Sequence, residues 1–139
     1  MKVLLTGHQG YLGTVMAPVL QAAGHEVTGL DVGWFADCVL GPAPADPPGL
    51  HLDLRDVSAA DLEGFDAVIH LAALSNDPLG HLAPEITYDI NHAASVRLAR
   101  LAKQAGVGRF LYSSTCSVYG AAGDGLVAED ADLAPVTPY

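Results

Sequence analysis

The sequence predicts an α/β fold with a doubly wound parallel sheet, and three observations carry this. Short apolar runs alternate with helix-length periodic segments between residues 2 and 113. A strand, a turn, a helix and a second strand fit within about thirty residues, the size of a βαβ unit that joins parallel neighbours. The run Ala67-Val68-Ile69-His70-Leu71 is near-continuously apolar, the pattern of a strand covered on both faces.

The elements follow in order. Lys2 to Thr6 is a short apolar run ended at once by Gly7 and reads as the first strand. Tyr11 to Ala23 is helical and stops at Gly24. Pro18 lies inside it and leaves the Thr14 carbonyl without an amide partner at a cost of roughly 3 kcal/mol, so a kink is expected. Glu26 to Leu30 forms the second strand. From Val32 to Gly49 the pattern breaks, and Pro42, Pro44, Pro47 and Pro48 remove amide donors that regular pairing needs, which predicts a long surface loop. Leu50 to Leu52 makes a short third strand, Ser58 to Glu63 a helical turn and Asp66 to Leu71 a central strand. Pro84 to Ala105 reads as one long helix with Ile86, Ile90, Ala94, Leu98, Leu101 and Ala105 on a single face, ended by Gly106. Arg109 to Ser113 is the fifth strand. Ser114 to Tyr139 is turn-rich, with Gly120, Gly123, Gly125, Pro135 and Pro138.

At 139 residues, half of them hydrophobic and 16% charged, the chain is one domain, residues 1–139. Such a domain buries about two-thirds of its unfolded surface and is not of the disordered class. Sixteen acidic against six basic side chains give a net charge of −10, which repels a nucleic-acid backbone or an anionic membrane, so neither is expected as a partner. Cys38 and Cys116 have no Cys-x-x-Cys spacing, which indicates neither a disulfide framework nor a metal site and suits a reducing compartment. The apolar run Val3 to Leu5 is too short for a signal peptide or a membrane span, and the expected location is cytoplasmic.

Gly7-His8-Gln9-Gly10-Tyr11-Leu12-Gly13 lies where the first strand becomes the first helix. Glycines there let the backbone turn tightly and approach a diphosphate, while the helix's free N–H groups and positive end face the anion. Placed inside a βαβ unit, this points to dinucleotide phosphate, with Gly7, Gln9, Gly10, Tyr11, Leu12 and Gly13 as the contacting segment. Asp31 ends the second strand eighteen residues beyond Gly13, which suits a carboxylate accepting both hydroxyls of an adenosine ribose. A 2′-phosphate at about 4 Å would meet several kcal/mol of repulsion from it, so NAD is preferred over NADP.

With these residues in view, the sequence resembles the extended short-chain dehydrogenase/reductase family, in particular the NAD-dependent epimerase/dehydratase group that acts on nucleotide sugars. The resemblance implies a Rossmann-type sheet. Gly7-x-x-Gly10-x-x-Gly13 matches the family's glycine spacing, and Asp53-Leu54-Arg55-Asp56 its acidic turn, where Asp53 would meet the adenine amino group and Leu54 flank the ring. His70-Leu71-Ala72-Ala73 resembles the segment whose small residues let the nicotinamide half pass close to the backbone, so Leu71, Ala72 and Ala73 are implied there, and Asn91 resembles the asparagine of the following helix. In Phe110 to Gly120 the family's catalytic hydroxyl falls on Thr115, where serine is commoner and where either hydroxyl can donate and accept. Pro135-x-x-Pro138-Tyr139 resembles the approach to the family's Tyr-x-x-x-Lys motif, which makes Tyr139 the catalytic tyrosine.

The lysine of that motif falls past residue 139, as do the later strands and the sugar-binding portion. These 139 residues are therefore expected to be an N-terminal part of a longer enzyme and inactive alone. Dehydratases of the family carry Thr-Asp-Glu where this chain has Thr115-Cys116-Ser117, and neither Cys116 nor Ser117 replaces a carboxylic acid and carboxylate pair. The expected activity of the parent is therefore nucleotide-sugar epimerisation by transient oxidation of a sugar carbon. The alternatives are a non-catalytic NAD-binding regulator or scaffold, and a reductase or decarboxylase on the same scaffold. The resemblance also implies a homodimer through the long helix. Ser75 to His81 fits either a substrate-contacting loop or an ordinary turn. His70, in an apolar strand with no ligand partner beside it, reads as a satisfied core histidine, and Cys116 as packing.

Overall fold

A computed structural model describes residues 1–39, 41–42, 46–121 and 125–139. Strands β1 (Lys2–Thr6), β2 (Glu26–Asp31), β3 (Gly49–His51), β4 (Ala67–His70) and β5 (Arg109–Tyr112) form one sheet in the order β3-β2-β1-β4-β5. Every pairing is parallel, with Leu4 opposite Thr28 and Val68, and Leu30 opposite Leu50. The doubly wound α/β class is as the sequence predicts. Of the residues read into the proline loop and the C-terminal turns, Pro44 and Gly123 lie outside the described ones.

Helix α1 (Tyr11–Ala22) connects β1 to β2 and covers one face of the sheet, where Leu5, Ala17 and Val27 are buried together with Met16, Leu20 and Ile69 packed around them. The opposite face carries the larger core of Leu4, Leu30, Leu54, Val57, Leu62, Val68, Ala94, Leu98 and Ala102. Successive side chains on a strand point to opposite faces, so adjacent Leu4 and Leu5 serve the two cores separately. Each buried leucine contributes about 1.5–3 kcal/mol relative to exposure. Pro18 is exposed on the outer face of α1, and the helix runs on through it to Ala22.

Cys116, read as packing, is exposed, and four readings of the elements also need correcting. The third strand is Gly49–His51, not Leu50 to Leu52, because it starts as soon as Pro48 is passed, and the Leu52 N–H bonds Asp31 O only as the strand leaves the sheet. The turn expected over Ser58 to Glu63 is a 3-10 turn at Ala60–Leu62, preceded by another at Leu54–Asp56. The stretch after β4 holds a helix, α2 (Asp77–Leu82), with Pro78 in its first turn and Asn76 Oδ1 accepting from Leu79 N at 3.1 Å. Finally, Pro84 to Ala105 is three pieces: α3 (Pro84–Tyr88), a π-helical turn (Asp89–Ala94) and α4 (Ser95–Gln104). A π turn spends more residues than an α turn and shifts the helix phase, so Thr87 is fully buried in α3 while Ile86 is half exposed. Ile90 and Ala94 within the π turn, and Leu98 and Ala102 in α4, hold the core face. No helix among the described residues is long and apolar enough to cross a membrane.

Candidate functional site

The carboxyl ends of β1, β2 and β4 meet at one edge, where ligands of open α/β sheets bind. Gly7 leaves β1 at φ +74°, a left-handed conformation open to glycine, and a Cβ there would stand 2.8 Å from Ala72 N. Gly10 N donates to Gly7 O at 3.1 Å, closing the turn, and Gly10 is the N-cap of α1. A Cβ at Gly13 would collide with the Gly7 carbonyl and lie 2.6 Å from the His8 carbonyl carbon. The first turn of α1 therefore sits directly on the glycine turn. It has no side-chain cap and no acidic residue, so its positive end is not neutralised by its own side chains. Tyr11 and Leu12 are exposed at this end.

Asp31 is anchored by two backbone donors. Its Oδ2 accepts from Gln9 N at 3.1 Å and its Oδ1 from Gly33 N at 2.8 Å, which fixes the carboxylate beside the glycine turn with lone pairs to spare. Asp53 is gripped by Arg55, whose Nε meets Oδ1 at 3.0 Å and whose Nη2 meets Oδ2 at 2.8 Å. That fork holds the Asp53 carboxyl below the usual carboxylate range, and Arg55 also reaches Asp89 at 3.2 Å. Leu54 is 6% exposed within the main core, which leaves at most its edge for a ligand.

Beyond β4, Leu71 and Ala72 are half-buried and Ala73 is exposed. Asn91, inside the π turn, grips the next residue from both sides: its Oδ1 accepts from Leu74 N at 2.8 Å and its Nδ2 donates to Leu74 O at 3.1 Å. The structure thus gives Asn91 the work of holding the backbone of this segment. His70 is 1% exposed and fully satisfied, with Nδ1 2.6 Å from Thr6 Oγ1 and Nε2 2.8 Å from Ser95 Oγ, while Thr6 Oγ1 accepts from Ala72 N at 3.3 Å. The core-histidine reading holds, and burial pushes its pKa down to about 4.

Thr115 follows β5, and its Oγ1 accepts from Ser117 N at 3.2 Å to cap the 3-10 turn Cys116–Tyr119, which leaves its O–H free to donate. The last residues return to the same edge: Ala134 N donates to Val118 O at 2.9 Å, Thr137 Oγ1 donates to Asp77 Oδ1 at 2.9 Å, and Tyr139 N lies 4.0 Å from where Gly80 would carry a Cβ. Tyr139 is half-buried there.

His8 is a further residue of the site, one that no motif in the sequence marks out. Its ring is 4% exposed, a side chain at Gly29 would run into it, and a Cβ at Gly49 would come within 3.3 Å of its Nε2. Glycine in the middle of one strand and at the start of its neighbour is the sequence signal of such a close approach from outside the sheet.

Residues 3–139 match the family described as "NAD dependent epimerase/dehydratase family". The UDP-glucose 4-epimerase of Streptomyces lividans is 34% identical over 147 aligned residues, covering 99% of this chain and 43% of that protein. The dTDP-glucose 4,6-dehydratase of Streptomyces niveus is 30% identical over 153 residues, covering 100% and 45%. A crystal structure of a UDP-glucose-4-epimerase from Stenotrophomonas maltophila with bound NAD and formylated UDP-arabinopyranose matches with a TM-score of 0.85 at 31% identity, over 100% of this chain and 44% of that one. The chain spans less than half the length of these proteins.

Proposed function

Because the chain belongs to the NAD dependent epimerase/dehydratase family, we propose that it is the NAD-binding portion of a nucleotide-sugar epimerase. The observation that carries the reading is the glycine turn, whose Gly13 position admits no Cβ, set beneath an uncapped helix end and beside an anchored Asp31. These residues fit NAD: the turn offers a diphosphate close backbone approach and open N–H groups, and Asp31 offers a ribose two acceptors. Leu71, Ala72 and Ala73 pass the nicotinamide end, with Asn91 and Thr6 fixing the backbone there. A reversible hydride acceptor for a sugar carbon is what NAD supplies when bound.

Thr115 and Tyr139 hold and move the proton of the sugar hydroxyl. Thr115 does so with the O–H that its capping bond leaves free, and Tyr139 through its phenol, in the role the family resemblance gives it. Epimerisation is favoured over dehydration because Cys116 and Ser117 supply no carboxyl pair for removing water. The 139 residues alone bind NAD and turn over no sugar, since the relatives devote more than half their length to segments without a counterpart here.

Trp34, the one tryptophan, is 55% exposed and stands three residues past Asp31, so it reports on this end of the site. Titration with NADH is expected to quench its emission in a saturable way, with calorimetry returning the same dissociation constant. The absence of both quenching and heat at millimolar NADH would refute the proposal.

A further inference from the structure

Asp46, in the proline-rich loop, meets the glycine turn with both carboxylate oxygens. Asp46 Oδ1 lies 3.1 Å from His8 Nε2, and Asp46 Oδ2 accepts from Gln9 Nε2 at 3.0 Å. Gln9 is thereby held between two acids, its backbone N–H on Asp31 and its side chain on Asp46. His8, Gln9, Asp31, Asp46, Gly49 and His51 are among the residues that line one pocket at this edge, and its lining carries no lysine or arginine.

His8 makes a rigid post for this contact. Its ring is locked against Gly29 and Gly49, its Nε2 stands 3.1 Å from Asp46 Oδ1, and its buried Nδ1 has no partner among the described residues. The Oε1 of Gln9 is likewise buried and unpartnered among them, so the one donor group of its amide is committed to Asp46. Asp46 itself is 56% exposed and is among the residues that line the pocket.

We propose that Asp46 is a second cofactor-discriminating residue, which together with Asp31 closes the adenosine-ribose end of the site to a cofactor carrying a 2′-phosphate. This rests on the NAD-binding reading. A phosphate beside Asp31 enters a pocket walled by a further carboxylate and relieved by no fixed cation, so removing Asp31 alone leaves one repulsive partner in place. A ribose with a free 2′-hydroxyl carries no charge for Asp46 to oppose.

The test compares NADH and NADPH binding at pH 8, by tryptophan quenching and calorimetry, in the parent protein, Asp31→Asn, Asp46→Asn and the double variant. Asp31→Asn is expected to weaken NADH about tenfold and to leave NADPH weak. Asp46→Asn keeps the Gln9 contact and is expected to hold NADH affinity within about twofold. The double variant is expected to bind NADPH at least about tenfold tighter than Asp31→Asn does, which is about 1.4 kcal/mol, with the gap narrowing as salt rises. Asp46→Ser replaces Asp46→Asn should the latter unfold. If Asp31→Asn alone takes NADPH as well as the double variant, or if Asp46→Asn costs as much NADH affinity as Asp31→Asn, the inference is overturned. Absence of NADH binding by the parent would instead remove the reading beneath it.

Discussion

Gly13→Ala is expected to weaken NAD binding by at least about a hundredfold and to destabilise the chain by about 1–3 kcal/mol. The new methyl group would collide with the Gly7 carbonyl oxygen and press on the His8 backbone. Backbone atoms of a closed turn cannot rotate aside as a flexible side chain can. Either the turn opens or the first turn of α1 slides, and both displace the N–H groups that face the diphosphate. Gly24→Ala is the matched control. Gly24 has φ +83° with nothing within 4 Å of its missing Cβ, so alanine there costs about 1–2 kcal/mol of backbone strain and leaves the site untouched. Calorimetric NAD titration and urea unfolding of the two variants separate the effects. Equal loss of NAD affinity in both would show that Gly13 matters for stability alone.

The contrast between those two glycines shows what is legible in a sequence of this kind. A strand that stops at a glycine, a helix that stops at another and a carboxylate ending the next strand are local signals, and β1, α1, β2 and Asp31 stand where they place them. Contacts made by chain return leave no such trace. Asp46 sits among prolines with no periodicity, and only the folded path of the loop brings it to His8 and Gln9. Helix α2 escapes for another reason: Asn76-Asp77-Pro78 opens a turn as readily as a helix, and six residues are too few to display a period. The π turn hides within a regular spacing, because Ile86, Ile90, Ala94 and Leu98 are four apart whether or not the backbone widens between them. That widening is where Asn91 lies, so the grip on Leu74 is a product of backbone geometry that residue spacing does not encode.

His70 joins the core to the site, since the buried ring that satisfies Thr6 of β1 and Ser95 of α4 also steadies the segment expected at the nicotinamide. Its ring is neutral in the fold, with a pKa near 4 against an ordinary value of 6.5, because burial disfavours the imidazolium. The unfolded chain takes up the proton first. The stability that the neutral ring contributes is therefore fully present above pH 6.5 and is lost as the pH falls towards 4, to a total of about 3 kcal/mol. Urea unfolding of the parent protein is expected to show this decline between those limits. His70→Gln is expected to be about 1–3 kcal/mol less stable at pH 7.5, because Thr6 and Ser95 lose well-placed partners inside the core. It is also expected to have a flatter dependence from pH 6.5 to 4.5, since the proton-binding group is gone. Exposed carboxylates such as Asp61 titrate in both proteins and cancel in the comparison. Parallel pH profiles for the two would mean that His70 is not the group whose burial acid reverses, whereas convergence of the two towards low pH would trace the loss to the Thr6–His70–Ser95 chain.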